Sequence, residues 1–220
     1  MSSVKQILAV GDSFTFGEEL KTVFDAYPNL ITNYYNGELV NLAKPGTGNR
    51  RMIRNIIDHI SSGHHVDLVI IGWTSPGRME FADDDGIFDI WPGYRGTMYI
   101  DNQPWRLDLL EYINKYHNSQ YIYYNFLLDV ILIQNYLEKN NINYIMSSIC
   151  MNEYYHNIYY SKMELITPLV NPKYFIGWPE EGMAEWTLGC KKGPRGHFLT
   201  DGHRRVADKL IDYINKYQLL

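Results

Sequence analysis

The sequence predicts an α/β fold, a three-layer α/β/α sandwich around a parallel, flavodoxin-like sheet. Short apolar runs alternate with amphipathic segments that are long enough to form crossover helices. The run Val66–Ile71 is apolar almost throughout, as expected of a central strand that is covered on both faces. Strands that are separated by helices of roughly ten or more residues favour right-handed crossovers and therefore a parallel sheet.

The first third of the chain supplies three strands and two helices. We predict strands at Lys5–Val10, Glu38–Asn41 and Val66–Ile71, and helices at Ala26–Asn36 and Asn49–Ser61. The helix at 49–61 carries its isoleucines and methionine at helical spacing and its arginines elsewhere. It should therefore cover the sheet with one apolar face.

The rest of the chain begins with a segment that has no clear period. We interpret residues 75–118 as a long insertion in a single domain spanning 1–220, and loops of this length inside compact domains are usually functional. The elements predicted in this part are helices at Arg106–Tyr116, Gln120–Asn140 and Gly202–Tyr217, and a strand at Tyr144–Ile149.

Composition excludes several classes of protein. With 45% hydrophobic and 20% charged residues the chain is typical of soluble globular domains, and the formal charge of -5 argues against a nucleic-acid-binding surface. No segment is long and apolar enough for a membrane span, and the chain enters its first strand directly, which predicts a cytoplasmic protein without a membrane partner. The abundance of Tyr, Asn and Ile is compatible with an AT-rich bacterial or phage genome.

Neither the cysteines nor the histidine cluster predicts a metal or disulfide site. Cys150 and Cys190 are expected to be free thiols. His59, His64 and His65 lie without a cysteine or carboxylate at ligand spacing, so we expect no metal and no cofactor.

A glycine turn follows the first strand. The segment Gly11–Gly17 presents Ser13 where the strand ends, at the edge of a parallel sheet where open α/β folds bind ligands. Amides of the next helical turn can stabilise negative charge there, which suits a nucleophile. The alternative is an ordinary strand-to-helix turn in which Ser13 is a capping residue.

A histidine near the other end of the chain gives this serine a partner. His197 lies in a short loop directly before the last amphipathic helix. Serine needs a base to remove its proton at neutral pH, and histidine has a suitable intrinsic pKa.

These segments, together with Asn41–Gly46 after the second strand, resemble the SGNH (GDSL-type) hydrolases, a family of serine esterases and acylhydrolases. The resemblance runs in the right order over nearly the whole chain. It implies that Ser13 is the nucleophile and His197 the base, and that Gly202-His203 begins the last helix.

The chain departs from the family at the acid that orients the histidine. The resemblance implies an aspartate three residues before His197, where this sequence has Pro194. This leaves a Ser-His dyad, a backbone carbonyl as the orienting group, or an acid from elsewhere. The acids considered are Glu185, Glu181 and Asp201.

A second departure concerns the oxyanion hole. The resemblance implies donation by the N–H groups of Ser13 and Gly46 and by a side chain after the third strand, each donor contributing about 3 to 4 kcal/mol. Glycine suits position 46, because only a residue without a Cβ lets the backbone come so close to the substrate. Thr74 stands where the family has asparagine, so either Thr74 or Asn49 is expected to supply the third donor.

The leading interpretation is a serine esterase that acts on a small-molecule or carbohydrate ester, with an O-acetyl group on a carbohydrate favoured. Arg78 and Trp73 are candidate substrate contacts, although an arginine in such a position is more commonly solvated or paired with a glutamate. Tryptophan faces stack well on sugar rings, and five tryptophans flank the expected mouth: Trp73, Trp91, Trp105, Trp178 and Trp186. The alternative is a non-catalytic SGNH-like module that binds a glycan or a protein. Acyl transfer to an alcohol and the oligomeric state stay open.

Overall fold

The computed structural model describes residues 4–84, 86–90, 104–116, 118–149 and 163–220. The strands in these residues are β1 (Gln6–Gly11), β2 (Glu38–Asn41), β3 (Leu68–Trp73), β4 (Met79–Asp83), β5 (Gly86–Ile90) and β6 (Asn143–Ser148). The helices are α1 (Ser13–Phe16), α2 (Tyr27–Tyr34), α3 (Asn49–Ser61), α4 (Pro104–Tyr116), α5 (Ser119–Lys139), α6 (Met163–Ile166), α7 (Met183–Trp186) and α8 (Thr200–Tyr217).

The main sheet is parallel, with strand order β2-β1-β3-β6 in the described residues. This order confirms the flavodoxin-like sheet. An isolated parallel bridge between Met146 and Phe175 continues the pairing beyond β6. Because all four strands run in one direction, their carboxyl ends meet at the same edge, and Ser13 begins its helix there.

Two apolar layers cover the sheet and confirm the three-layer sandwich. Alternate strand residues such as Leu8 and Val69 pack against α3 and α5, while Ile7 and Ile70 pack against α2 and α8. The buried side chains that α8 contributes are Val206, Ala207, Leu210, Ile211 and Ile214. The apolar face that the sequence pattern predicts for each of these helices is therefore the face that packs on the sheet.

Strand β3 continues two residues past its predicted end, and two paired glycines explain why. Gly72 lies opposite Gly11 of β1 in the parallel register. A Cβ on either glycine would lie within 2.5 Å of the Thr15 hydroxyl oxygen, which bonds the Tyr27 hydroxyl at 2.8 Å. Gly72 therefore makes room for a buried hydroxyl pair rather than ending the strand.

The insertion contains a hairpin that the sequence analysis did not predict. Strands β4 and β5 pair antiparallel, with Met79 opposite Ile90 and Asp83 opposite Gly86. The predicted helix is present as α4, and residues 91–103, including Trp91, lie outside the described residues.

Cys190 is a free, half-buried thiol, and Cys150 lies outside the described residues. None of the described helices has the length and apolarity needed to cross a bilayer.

Candidate active site

The turn after β1 holds Ser13 in a fixed position. Asp12 caps α1, because its Oδ1 accepts the N–H of Phe14 at 3.0 Å. Ser13 is the first residue of this one-turn helix and is buried. Gly17 ends the helix in the left-handed conformation, at φ +90°, which a residue with a Cβ seldom adopts.

The structure brings Ser13 and His197 together from opposite ends of the chain. The Nε2 atom of His197 lies 2.8 Å from the Oγ atom of Ser13. The imidazole is buried, and the Phe14 ring packs against it with a centroid distance of 4.7 Å. The loop is closed behind the histidine, where Gly193 donates its N–H to the His197 carbonyl at 2.8 Å.

The acid that contacts the His197 ring on its Nδ1 side is Glu19. Its Oε2 lies 2.7 Å from His197 Nδ1, and the carboxylate also accepts the backbone N–H groups of Arg195 and His197. Although burial opposes ionisation, these hydrogen bonds and the histidine hold the pKa of Glu19 below its ordinary value of 4.5. The carboxylate fixes the proton on Nδ1, so the Nε2 lone pair faces the Ser13 hydroxyl.

The three acids proposed from the sequence lie elsewhere, and this expectation is corrected. Glu185 accepts the N–H of Gly182, Glu181 contacts Trp186 Nε1, and Asp201 accepts the N–H of Lys191. Each of these carboxylates is therefore bonded to groups other than His197. Sequence reasoning missed Glu19, whose local pattern carries no signal beyond its closeness to Ser13.

Two backbone donors of the predicted oxyanion hole are available. Neither the Ser13 N–H nor the Gly46 N–H is bonded to another described residue. Gly46 has φ +81°, and a Cβ there would meet no heavy atom within 4 Å. The left-handed backbone therefore favours glycine at this position, and the space around it leaves the Gly46 N–H open to a close approach.

Thr74 is not a free donor, which corrects one of the two alternatives for the third group. Its hydroxyl donates to Asp12 Oδ2 at 2.6 Å, and a hydroxyl has one proton to donate. Asn49 accepts the Thr74 N–H on Oδ1 and donates from Nδ2 to the Thr74 carbonyl at 3.3 Å. An amide nitrogen carries two protons, so Asn49 retains a second N–H for a ligand.

The hairpin fixes the loop that carries Gly46 and Asn49. Asp89 of β5 accepts the Gly48 N–H at 2.9 Å and pairs with Arg51 of α3 at 3.2 Å. A Cβ on Gly48 would lie 2.7 Å from Asp89 Oδ1, so this approach requires glycine. Burial raises the pKa of Asp89 above its ordinary value, with Arg51 and Gly48 opposing the shift.

Arg78 and Trp73, the two candidate substrate contacts, both make contacts within the protein. The Nη1 atom of Arg78 lies 3.4 Å from Asp12 Oδ2 and donates to the Thr47 carbonyl, so the guanidinium supports the Ser13 turn. Trp73 is fully buried, and its ring packs edge-on against Phe126. The structure thus places both side chains in supporting roles.

His203 is separate from the Ser13 pair. Its Nδ1 accepts the Tyr27 N–H at 3.2 Å, which joins α8 to α2. Burial, together with the nearby His197, lowers the pKa of His203 to about 4. The imidazole is consequently a neutral hydrogen-bond acceptor over the physiological range.

The fold is that of known esterases. The chain is similar to the psychrotrophic esterase EstA from Pseudoalteromonas sp., solved in a state inhibited by monoethylphosphonate, with TM-score 0.56, 14% identity and coverage of 97% of this chain and 98% of that one. It is also similar to a member of the lipolytic protein G-D-S-L family from Veillonella parvula, with TM-score 0.50, 14% identity and coverage of 95% and 97%. The chain has the SGNH hydrolase fold.

A third protein with the SGNH fold is larger than this chain. It is a two-domain esterase active on acetylated mannans, with TM-score 0.52 and 13% identity over 97% of this chain and 49% of that chain. No protein-family model matches the sequence, and a search of curated proteins found no significant match. At these identities the likeness describes the fold, and the chemistry must be argued from the residues.

Proposed function

We propose that the protein is a divergent SGNH hydrolase that cleaves esters through an acyl-enzyme on Ser13. The observation that carries this proposal is the hydrogen-bonded series from Ser13 Oγ through the His197 imidazole to the Glu19 carboxylate, with distances of 2.8 and 2.7 Å. A nucleophile, a base and an orienting acid in this geometry are the parts that acyl transfer needs.

In the mechanism, His197 Nε2 removes the Ser13 proton as the oxygen attacks the acyl carbonyl carbon. The imidazolium is stabilised by Glu19 at Nδ1, and it then donates its proton to the departing alcohol. Water attacks the acyl-enzyme in the second half, with the same histidine as base. The developing oxyanion is stabilised by the N–H groups of Ser13 and Gly46 and by the second amide N–H of Asn49.

The substrate class that we favour is an acetyl ester on a carbohydrate. A protein with the same fold is active on acetylated mannans. Among the tryptophans that the structure describes, Trp105 is the exposed one, at 39%, and its ring packs edge-on against Phe88 of the hairpin. An exposed indole beside the hairpin is suited to stacking on a sugar ring.

The alternative from the sequence, a non-catalytic binding module, is less well supported. A binding role gives no reason for a buried carboxylate that bonds Nδ1 of a histidine whose other nitrogen faces a serine hydroxyl. Glu19 also supplies a carboxylate for His197 in a chain that has Pro194 where the family has its acid.

Hydrolysis of p-nitrophenyl acetate tests the proposal. We expect turnover by the wild type, and in Ser13→Ala a loss of kcat of several orders of magnitude, to the small residual rate that substrate binding and the oxyanion donors leave. Ser62→Ala is the matched control, because Ser62 is exposed and bonds the Asp58 carbonyl at the far end of α3. Equal rates for the wild type and Ser13→Ala would contradict the proposal.

A further inference from the structure

A second carboxylate lies beside the reacting atoms. Glu18 follows the left-handed Gly17, and its Oε2 lies 3.6 Å from His197 Nε2, the nitrogen that faces Ser13. Its other oxygen pairs with Arg195 Nη1 at 2.7 Å. The Glu18 side chain is 19% exposed and that of Arg195 is 66% exposed. The negative end of this ion pair is therefore the end nearer to the nucleophile.

The proposed mechanism assigns no proton transfer to Glu18. The Nδ1 proton of His197 belongs to Glu19, and the Nε2 lone pair faces Ser13 Oγ at 2.8 Å. At 3.6 Å the Glu18 oxygen lies beyond hydrogen-bond distance of Nε2. Its carboxylate therefore acts on a bound substrate through electrostatic attraction or repulsion and not through a hydrogen bond to Nε2.

The three carboxylates near Ser13 are compensated in different ways. Asp12 is compensated by the Thr74 hydroxyl and by Arg78, and Glu19 is bound by three N–H groups. The Arg195 guanidinium is largely solvated, so water and salt screen it more than they screen a half-buried carboxylate. A substrate bound against Ser13 Oγ and His197 Nε2 therefore lies next to the Glu18 carboxylate.

We propose that Glu18 is a specificity-determining residue, which disfavours esters whose acyl group carries a negative charge and favours neutral or cationic ones. This inference rests on the proposed ester hydrolysis and adds the charge class of its substrates. Repulsion of the wrong substrate is a common source of specificity, because it leaves binding of the right one unchanged. Esters with a neutral acetyl group should therefore be good substrates, and esters whose acyl group carries a succinyl carboxylate or a phosphate should be poor ones.

Two esters of similar shape test the proposal. The kcat/KM values for p-nitrophenyl crotonate and for mono-p-nitrophenyl fumarate are compared, since the second replaces a terminal methyl group by a carboxylate and the trans double bond keeps that carboxylate from attacking its own ester. We expect the wild type to prefer the neutral ester by about tenfold or more, and less so at high salt. In Glu18→Gln the ratio should move about tenfold towards the anionic ester.

Two further variants keep the result interpretable. Arg195→Gln removes the compensating cation, so it should move the ratio away from the anionic ester. Glu38→Gln is the matched control, because Glu38 bonds Gln6 on the opposite edge of the sheet, and its ratio should equal that of the wild type.

The outcomes separate this inference from the function on which it rests. A ratio in Glu18→Gln within about twofold of the wild type, with the crotonate ester still hydrolysed, would overturn the role of Glu18 alone. A wild type that hydrolyses neither ester would overturn both the proposed function and the charge rule.

Discussion

Glu19 has a backbone conformation that residues other than glycine seldom adopt. Its φ is +69°, in the left-handed region, which costs on the order of 1 kcal/mol or more. The conformation directs the carboxylate to His197 Nδ1 and to two backbone N–H groups of the histidine loop. Gly193 is part of the same arrangement, because a Cβ there would lie 2.5 Å from the Glu19 carboxyl carbon. Strain of this kind persists where surrounding contacts hold the residue in place.

Replacing Glu19 by glutamine should lower kcat far more than it raises KM. The amide removes the charge that stabilises the imidazolium and no longer fixes the proton on Nδ1, and a loss of about 10² to 10⁴ in kcat is expected. Steady-state kinetics on p-nitrophenyl acetate measure it. Glu181→Gln is the control, since Glu181 is an exposed acid that contacts Trp186 and Lys209. If the two variants were equally active, Glu19 would not be the orienting acid.

At the scale of elements, the β4–β5 hairpin holds the loop that carries Gly46 and Asn49, the residues of the proposed oxyanion hole. Asp89 bonds the Gly48 N–H and the Arg51 guanidinium, and so joins the hairpin to the start of α3. Gly46 and Asn49 lie on either side of this contact. The hairpin therefore helps to fix the two donors of the proposed oxyanion hole.

We expect Asp89→Ala to lower kcat about 10- to 100-fold with KM changed less than about threefold, because displaced donors weaken the transition state more than the ground state. Asp89→Asn keeps an acceptor for Gly48 and should recover most of the activity. The control is Glu80→Gln, since Glu80 shares Arg51 but does not contact Gly48. If Glu80→Gln lost kcat to the same extent as Asp89→Ala, Asp89 would stabilise this part of the fold in general and would not position the donors in particular.

Most elements could be predicted because their patterns are local. Helix α3 and strand β2 have the predicted bounds, and periodic burial explains both. The hairpin was not predicted, because the segment that contains it has no clear period in the sequence.

The acid of the site could not be predicted in the same way. Glu19 is 178 residues from His197 in sequence, and its contact depends on the left-handed turn at Gly17 and on the path of the histidine loop. The departure at Thr74 also has a long-range explanation, because its hydroxyl supports Asp12. Such contacts are set by tertiary structure and leave no periodic pattern.

For the whole molecule, packing of α8 against α2 brings the last part of the chain to the first. His203 accepts the Tyr27 N–H at this junction, six residues from the histidine of the site. Because protonation of Nδ1 would break that bond in a buried place, folding favours the neutral ring.

Stability should therefore fall in acid partly through His203. Its pKa is about 4 in the fold and 6.5 ordinarily, so the unfolded chain binds the proton more readily. The contribution, about 3 kcal/mol, is complete above pH 6.5 and is lost as the pH falls from 6.5 towards 4. In His203→Asn, which keeps an acceptor, the free energy of unfolding measured in urea should change less with pH over this range. An unaltered pH dependence would contradict the assignment.

The central claim is that the folded molecule activates Ser13 through His197 and Glu19, and covalent labelling by a fluorophosphonate tests it without the natural substrate. Intact mass and peptide mapping should find one adduct per chain, on Ser13, formed far more slowly in Glu19→Gln and not at all in His197→Ala. An adduct on another residue, or labelling of Ser13 at the same rate in His197→Ala, would contradict the claim.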